Sequence, residues 1–384
     1  LGLAAIAKAD ANPNKVDLTV GVYMNEDGVC PVFKAVKMAQ AALQQEEVSK
    51  SYLPPAGVDA FNDGMQQLLF GAGHPALRDG RVSSVQAPGG CGALRIGAEI
   101  IFAAAPTAKV WVSDPTWPVH LPLLGSVGLE FETYRYYEPV SHGVNFDGMV
   151  EDLKRAQTGD VVLLHGCCHN PTGANLNAAQ WEEVISVLKS TGATPMIDIA
   201  YQGFGDGLEE DAAATRTVTA AMPETIIAAS CSKNFGIYRE RTGMLMVVSQ
   251  DTSAKGLNQA TLAFLNRQNF SFPPDHGARI VTMILNDDAM RADWMAELED
   301  IRTSMLGLRG DLAAELQRLS GSDRFGFLAQ HRGMFSRLGT TPEMVEKLRV
   351  DAGIYMVGDS RMNIAGLNAK TIPILAKAII EAGI

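Results

Sequence analysis

The sequence lacks any hydrophobic run long enough to cross a bilayer, and it is short of basic residues. The nearest apolar run, residues 100–112, is interrupted by Pro106 and Lys109. The 32 Lys and Arg residues face 43 Asp and Glu residues, which gives a net charge of −11. These two deficits argue against a membrane span and against nucleic acid or anionic membrane as partners. An anionic substrate would therefore have to be bound by specific arginines.

Cysteine is also scarce. The chain has five cysteines, an odd number, and they lack the spacing of metal ligands. Cys167 and Cys168 are neighbours, which makes a disulfide between them unfavourable. This pattern predicts reduced thiols, a cytoplasmic location and no metal site. The N-terminus shows no signal-peptide pattern, and because the chain begins at Leu1 rather than Met, we expect a few residues to precede it.

Short apolar runs alternate with helical patterns through the middle of the chain, which is 384 residues long and 47% hydrophobic. The runs are continuous rather than alternating, as in strands that are covered on both faces. They comprise residues 109–113, 161–165, 195–199, 225–229 and 244–248. Between them lie amphipathic helices such as residues 178–190. The order predicts an α/β fold with a mostly parallel central sheet and helices on both faces.

The pattern changes after Pro273 and Pro274. Residues 287–319 read as one long helix or two joined helices, and residues 371–384 as an amphipathic helix. The segments 326–338 and 353–365, which lie between them, read as strands and turns. We therefore expect a second, smaller α+β domain from about residue 300 onward.

The stretch from Ser230 to Lys233 follows a predicted buried strand directly. An amine at such a position loses solvation, so its pKa falls and it can hold an aldehyde as a Schiff base. Hydroxyl groups beside it, on Ser230 and Ser232, can bind a phosphate. A phosphorylated aldehyde held by a lysine describes pyridoxal phosphate. Taken alone, the motif more often marks a surface lysine, so the prediction depends on the rest of the chain.

Three polar residues follow other predicted strands. Asp198 ends a buried strand, and a buried carboxylate needs a cation such as a protonated pyridine nitrogen. Tyr201 could donate its phenol proton to the cofactor's ring oxygen. Asn170 lies in the turn Asn-Pro-Thr-Gly and could donate to that oxygen and to a substrate carboxylate. The alternatives are a cap or turn aspartate, a core tyrosine and a plain turn former.

A glycine-rich loop, residues 87–93, precedes a predicted helix over residues 93–104. The N-terminus of a helix behind such a loop is suited to phosphate. The loop matches neither nucleotide-binding glycine motif, so nucleotide binding is not indicated. Trp117 could stack on a pyridine ring, although a packed core tryptophan is the commoner role.

Three arginines are candidates for binding anions. Arg241 follows Lys233 by eight residues and could bind the phosphate, while Arg267 and Arg361 could each bind a carboxylate through the planar guanidinium. Each of the three, taken alone, is more often a solvated surface residue.

Three motifs together are specific: HGCCHNPTG at residues 165–173, DIAYQGFG at residues 198–205 and SKNFGIYRER at residues 232–241. With them the chain resembles the class I aminotransferases of fold type I, in the aspartate and aromatic amino acid branch. The resemblance covers essentially the whole chain, beginning at Leu1. It implies a large cofactor-binding domain over residues 31–300 and a small domain made of residues 1–30 and 301–384.

The resemblance also implies roles for individual residues around pyridoxal phosphate. Lys233 would be the Schiff-base lysine and the proton shuttle, and Asp198, supported by His120, would pair with the pyridine nitrogen. The remaining contacts implied are Tyr201 and Asn170 to the ring oxygen, Trp117 to the ring face, and Ser230, Arg241, Gly90 and Cys91 to the phosphate, with Tyr52 reaching the phosphate of a neighbouring subunit.

The substrate would be bound by residues of both subunits of a homodimer with shared active sites. By the same resemblance, Arg361 binds the α-carboxylate with Asn170 and the backbone of Gly21. Arg267 of the partner, near Ser271, would bind a side-chain carboxylate. The partners implied are small amino acids and 2-oxo acids.

Some residues depart from the family pattern towards less polar or smaller side chains. They are Met24, Cys30, Ser51, Cys91 and Phe272. We interpret them as making the pocket wall more apolar and the specificity broader.

The sequence thus predicts transfer of an amino group from aspartate, aromatic amino acids or both to 2-oxoglutarate or oxaloacetate, in ping-pong fashion. An aromatic aminotransferase as the main activity is the first alternative. A different reaction of the same cofactor, such as a lyase or decarboxylase reaction, is the second. A ligand-sensing domain that does not turn over is the third.

Overall fold

The computed structural model describes residues 2–384; Leu1, where the resemblance begins, lies outside the described residues. The strands, in chain order, are β1 (Val16–Asp17), β2 (Val82–Pro88), β3 (Lys109–Asp114), β4 (Glu130–Arg135), β5 (Tyr137–Glu138), β6 (Gly143–Val144), β7 (Val161–His165), β8 (Thr194–Ile199), β9 (Thr225–Ser230), β10 (Thr242–Val248), β11 (Phe335–Arg337), β12 (Ile354–Tyr355) and β13 (Arg361–Asn363). No helix within residues 2–384 is both long and apolar enough to cross a membrane.

The helices surround these strands. In chain order they are α1 (Gly2–Ala9), α2 (Lys34–Glu46), α3 (Asp59–Phe70), α4 (Pro75–Arg78), α5 (Gly89–Ala104), α6 (His120–Gly125), α7 (Phe146–Leu153), α8 (Ala178–Thr191), α9 (Leu208–Ala221), α10 (Lys255–Phe270), α11 (Asp275–Asn286), α12 (Asp288–Ser320), α13 (Phe327–Gln330), α14 (Pro342–Ala352) and α15 (Thr371–Ala382), with one 3₁₀ turn at Ile364–Gly366.

Seven strands form the central sheet in the order β2-β10-β9-β8-β7-β3-β4. All neighbouring pairs are parallel except those of β10, which runs antiparallel to both β9 and β2. The prediction of a mostly parallel sheet is therefore confirmed. The register places His165 beside Asp198 on neighbouring strands, so the carboxyl ends of β7, β8 and β9 meet at one edge.

Two strands of this sheet were not predicted from sequence, for physical reasons. Strand β4 is the edge strand and carries three charged residues, two of them exposed, so it lacks a continuous apolar run. Strand β2 carries buried polar residues. Its Gln86 is fully buried because its side chain donates to the Pro274 carbonyl and accepts from the Val58 amide.

Helix ends match their sequence signals. Helix α8 begins with a capping box in which Asn177 and Gln180 bond each other's backbone amides. Helix α5 begins at Gly89, four residues earlier than predicted, so the glycine-rich loop itself forms the first turn. The segment predicted as strands and turns after residue 326 includes the short helix α13, which begins at Phe327.

The long helix α12 joins two apolar clusters. Trp294 and Ile301, in its first half, pack in the cluster around the central sheet. Leu312 and Leu316, in its second half, pack with N-terminal and C-terminal residues in a separate cluster that includes Val16. A second, smaller domain requires an apolar core of its own, and this separate cluster is such a core. The exact boundary between the large and the small domain stays a prediction.

Candidate active site

A cavity of about 300 Å³ opens at the carboxyl edge of the sheet, where open α/β sheets bind ligands. Its walls come from strand ends, from the start of α5 and from the small domain. The predicted site residues that line it are Gly21, Gly90, Cys91, Trp117, Asn170, Asp198, Tyr201, Ser230, Lys233, Arg241 and Arg361. Of the five departures from the family pattern, Cys91 lines this cavity, whereas Met24, Cys30, Ser51 and Phe272 lie outside its lining.

Lys233 lies three residues beyond the end of β9 and points its amine into the cavity. Its Nζ atom lies 4.8 Å from the centre of the Tyr201 ring. Burial lowers the pKa of this amine, and the nearby Arg241 charge lowers it further, while the Asp198 carboxylate opposes both. The amine is thus easier to deprotonate than a surface lysine and better able to act as a nucleophile or base.

Asp198 is the carboxylate that faces this amine across the cavity floor. His120 Nε2 donates to Asp198 Oδ2 over 3.0 Å, and Thr116 Oγ1 lies 2.7 Å from His120 Nδ1. Burial raises the pKa of Asp198, but the hydrogen bond and charge of His120 outweigh burial and leave the pKa below its usual value. The support by His120 implied from sequence is present, and His120 lies fully buried behind the carboxylate.

Two further histidines form a layer beneath Asp198. His165 lies 4.1 Å from His169, centre to centre, and His169 stacks on Tyr136 at 3.9 Å. Burial, with the charge of His120, lowers the pKa of His165 to about 3, although Asp198 opposes this shift. These imidazoles are therefore neutral and add no positive charge that would compete with a cationic ring for Asp198.

A cradle for an anion lies at the opposite end of the cavity. It consists of the first turn of α5, Ser230 and the Arg241 guanidinium, which donates to the Tyr238 carbonyl over 2.9 Å. A Cβ added at Gly89 would lie 2.5 Å from Arg241 Nη2, so only glycine lets the guanidinium approach the helix start this closely. Helix amides and a guanidinium together favour a phosphate.

A second anion site is built around Arg361. Its guanidinium donates to Asn170 Oδ1 and to the Thr19 carbonyl over 3.4 and 3.3 Å, and its Nε has no partner within residues 2–384. The group stacks on Phe335 at 4.4 Å. Burial lowers the pKa of Arg361. A buried guanidinium with unused donors is suited to a carboxylate.

Gly21 and Asn170 complete that end of the cavity. A Cβ at Gly21 would lie 2.5 Å from the Phe335 ring, so glycine is required for the N-terminal segment to pass beside it. Asn170 Nδ2 donates to the Tyr201 hydroxyl over 3.4 Å. Asn170 therefore links Arg361 to Tyr201 through hydrogen bonds. The two residues predicted to bind the substrate carboxylate, Arg361 and Asn170, thus share one network with Tyr201, which is predicted to contact the cofactor's ring oxygen.

Four predicted site residues lie outside the lining of the cavity in their own chain: His120, which lies behind Asp198, and Tyr52, Arg267 and Ser271. Tyr52 is 88% exposed and contacts Phe272, with 5.3 Å between ring centres. Arg267 is exposed and donates to Ser271 over 2.7 Å. Tyr52 and Arg267 were expected to act in a neighbouring subunit, and their exposure within one chain is compatible with that expectation.

Several lining residues were not among the predicted site residues. They are Leu94, His165, Cys167, Ala200, Ser232, Tyr238 and Phe335. Most lie inside the quoted motifs, so proximity to Lys233 or Asn170 in sequence was an available signal. Phe335 had no such signal, because it reaches the cavity only through the fold of the small domain.

These groups fit pyridoxal phosphate. Lys233 offers an amine for the aldehyde, and the cradle offers a cation for the phosphate. Asp198 has one oxygen with no hydrogen-bond partner among residues 2–384, and that oxygen can accept from a protonated ring nitrogen. Trp117 and Ala200 provide apolar surface between these polar groups. The described residues include one cluster of possible metal ligands, Cys167, Cys168 and Asp211, and Cys167 of this cluster also lines the cavity.

Comparison with known proteins gives a consistent result. The family profile described as aminotransferase class I and II matches residues 13–379. An aromatic-amino-acid aminotransferase of Paracoccus denitrificans is 54% identical over 384 residues, which cover 100% of this chain and 97% of the relative. An aspartate aminotransferase of Escherichia coli strain K12 is 41% identical over 380 residues, covering 99% and 96%. The solved structure of an aromatic-amino-acid aminotransferase from Burkholderia pseudomallei, covalently bound to pyridoxal phosphate, is similar with a TM-score of 0.97 and 41% identity, over 99% of this chain and 96% of that chain.

Proposed function

The chain belongs to the class I and II aminotransferases, which makes it a pyridoxal-phosphate-dependent transaminase, and we propose that both aromatic amino acids and aspartate are its donors. The acceptor in this proposal is 2-oxoglutarate or oxaloacetate. One observation carries it: a buried carboxylate, a desolvated lysine and a buried arginine converge on one cavity of about 300 Å³. The family predicted from the sequence motifs is confirmed.

When bound, pyridoxal phosphate supplies the electron sink for negative charge at the substrate's α-carbon and carries the amino group between the two substrates. In the proposed mechanism, Lys233 Nζ would take the proton from the substrate's α-carbon and deliver it to the C4′ carbon of the cofactor, and it would carry a proton the opposite way with the second substrate. Its lowered pKa makes the unprotonated amine more available for this role than the amine of a surface lysine.

Asp198 holds the proton on the cofactor's ring nitrogen in this proposal. Its own ionisation is maintained by His120, whose Nε2–H donates to the carboxylate. Tyr201 sits beside the lysine, and burial raises the pKa of its phenol well above the usual value, so the phenol keeps its proton. It is then a hydrogen-bond donor to the ring oxygen and not a second base.

Arg361 orients the substrate by its α-carboxylate. The guanidinium is fixed by Asn170, by the Thr19 carbonyl and by stacking on Phe335. A planar group that is held by two hydrogen bonds and one stacked ring loses little freedom when it binds a carboxylate bidentately, which is the benefit of preorganisation.

The donor preference is proposed from what surrounds the rest of the substrate. Arg241 and Arg361 are the arginines that line the cavity within residues 2–384, and we assign one to phosphate and one to the α-carboxylate. The side chain of an aromatic substrate would therefore contact Phe335, Leu94 and Trp117, and neither arginine would have to move to make room for it. A second substrate carboxylate needs a further cation, which we assign to Arg267 of the partner subunit.

A donor panel tests this proposal. Aspartate, glutamate, phenylalanine, tyrosine and tryptophan are compared as donors to 2-oxoglutarate in wild type and in Arg267→Ala. We expect turnover with both donor classes in wild type. Loss of the arginine should lower kcat/KM for aspartate by roughly 10–150-fold, the equivalent of about 1.5–3 kcal/mol for a hydrogen bond to a charged group, with aromatic donors changed much less.

Arg318→Ala is the matched control, because Arg318 is an exposed arginine paired with Glu315 at the other end of the chain. Equal losses on both donor classes in Arg267→Ala would contradict the assignment of Arg267 to the second carboxylate. Failure of wild type to accept aromatic donors would contradict the dual specificity while leaving the aminotransferase family intact.

We propose that the active enzyme is a homodimer. Leu257 and Phe264 of α10 are 71% and 59% exposed, and their spacing of seven places them on one helix face. Arg267 follows on the same helix, and Tyr52 is exposed as well. Exposed apolar residues next to the two side chains expected in the neighbouring site favour this face as the interface.

The five free cysteines favour a reducing compartment, which we propose to be the cytoplasm.

Phe264→Asp should dissociate the dimer. A charge placed in the interface would be buried twice by two-fold symmetry, so the dissociation constant should rise by at least about 100-fold. Sedimentation velocity over a range of concentrations measures this, and kcat should fall in parallel with the fraction of monomer. Val350→Asp is the control, because Val350 is 65% exposed on α14 of the small domain. A Phe264→Asp variant that stays dimeric would show that α10 is not the interface.

A further inference from the structure

A cluster of three side chains lies beneath the active-site cavity and has no part in the reaction described above. The two thiol sulfurs of Cys167 and Cys168 and a carboxylate oxygen of Asp211 all lie within 4.8 Å of one another. Cys168 and Asp211 are buried, while Cys167 is partly accessible. Two thiols and a carboxylate form a donor set that suits a soft divalent cation such as Zn²⁺.

The backbone is shaped to bring the two thiols together. Side chains of adjacent residues in extended backbone point to opposite sides. Cys168, however, has φ of 51°, in the left-handed region, which few residues other than glycine adopt and which costs of order 1–3 kcal/mol. This conformation lets both sulfurs face Asp211.

Asp211 is held in place as an acceptor. It accepts from the backbone amides of Gly203, Gly205 and Asp206 over 2.8–2.9 Å. Three amides leave one of the roughly four acceptor positions of a carboxylate free. The group is thus oriented before any cation arrives, and its position does not depend on the thiols.

A second cavity, of about 230 Å³, gives access to the cluster. Cys167 and Asp211 line it, and its remaining wall includes the exposed carboxylates Glu182 and Glu210. Negative charge around a narrow opening raises the local concentration of cations. The cavity also leaves room for water as a fourth ligand, which a tetrahedral site with three protein ligands requires.

We propose that Cys167, Cys168 and Asp211 bind one Zn²⁺-like cation per chain and that its binding inhibits transamination. Binding releases the two thiol protons to solvent, and the cation is then held by two thiolates and one carboxylate. Inhibition follows from a shared wall, because Cys167 and His165 line both this cavity and the active-site cavity. This second half of the proposal rests on the proposed function, whereas cation binding does not.

The test uses Cd²⁺ as a spectroscopic stand-in and the complete holoenzyme. Titration with Cd²⁺ should produce the ultraviolet charge-transfer absorption of cadmium thiolate, saturating at one Cd²⁺ per chain, and Zn²⁺ should displace it. Cys168→Ser should weaken binding by at least about 10–100-fold, the loss already caused by removing an outer-shell partner. Cys30→Ser is the control, because Cys30 lies outside both cavities, and it should keep the absorption.

Inhibition is measured on the same samples. Saturating Zn²⁺ should lower kcat of wild type and of Cys30→Ser but leave the activity of Cys168→Ser unchanged relative to its own value without metal. If Cys168→Ser does not fold, alkylation of Cys167 in wild type, followed by peptide mass spectrometry, should be slowed by Zn²⁺. No absorption, absorption retained in Cys168→Ser, or unprotected Cys167 would overturn the site. Binding without inhibition would overturn the coupling alone.

Discussion

Lys233→Ala is expected to lower the turnover number by at least about 10²–10⁴-fold, the contribution of a positioned general acid or base. The physical reason is the position of the amine. Lys233 points into the cavity between Tyr201 and Asp198, and its pKa is lowered chiefly by burial. Of the other titratable groups that line the cavity, the Tyr201 phenol stays protonated and the Asp198 carboxylate is held by His120.

The measurement separates loss of chemistry from loss of cofactor. The variant should still retain pyridoxal phosphate after gel filtration, because the Arg241 cradle and Asp198 are unchanged, but borohydride should no longer fix the cofactor to the protein. Single-turnover kinetics with aspartate and with tyrosine then report the rate of the chemical step. Lys37→Ala, at an exposed lysine of α2, is the control. Transamination near the wild-type rate in Lys233→Ala would remove this lysine from the mechanism.

Asp198→Asn is expected to lower kcat by roughly 150- to 4,000-fold. Removing one partner of a buried ion pair costs about 3–5 kcal/mol, and a tenfold change in rate corresponds to about 1.4 kcal/mol. Asparagine preserves the shape of the side chain but cannot hold a charged ring nitrogen. His120→Asn should have a smaller effect, because His120 acts only through the carboxylate, from which it lies 3.0 Å away.

Asp160→Asn is the control for Asp198→Asn. It separates the effect of losing the Asp198 charge from the general effect of removing a buried carboxylate. Asp160 is also buried, and it accepts from Trp111 Nε1 over 3.0 Å, away from the cavity. Both variants should lower the melting temperature, but Asp198→Asn alone should lower kcat and shift the absorption of the bound cofactor. If both variants lost activity only in proportion to stability, Asp198 would be a structural residue.

The pH dependence of Asp198 has a defined sign. Its pKa lies below the ordinary value of 3.8, so the carboxylate is ionised from neutral pH down to that value. Its contribution is lost only as the pH falls through the lowered pKa. A loss of activity between pH 5 and 7 in the wild type must therefore come from another group. His120→Asn removes the group that lowers the Asp198 pKa, so in its pH-rate profile the acid limb caused by Asp198 should move to higher pH.

The sequence by itself determined the chemistry along the sheet edge. Lys233, Asp198 and Asn170 each follow a continuous apolar run, and parallel strands bring their carboxyl ends together. Periodicity is a local property, so it can be read without knowing the fold. The same local patterns predicted the parallel sheet and the long helix, which runs as one element from Asp288 to Ser320.

Tertiary structure decided what depends on residues far apart in sequence. The Arg361–Asn170 hydrogen bond joins residues 191 positions apart, and Phe335 reaches the cavity beside Gly21. Strand β2 could not be predicted from the sequence, because its buried polar groups form hydrogen bonds with distant residues such as Pro274. The cluster of Cys167, Cys168 and Asp211 depends on one left-handed residue. Such contacts form only when the packing of the whole chain brings distant surfaces together. A local pattern of polar and apolar residues does not specify which distant surfaces will meet.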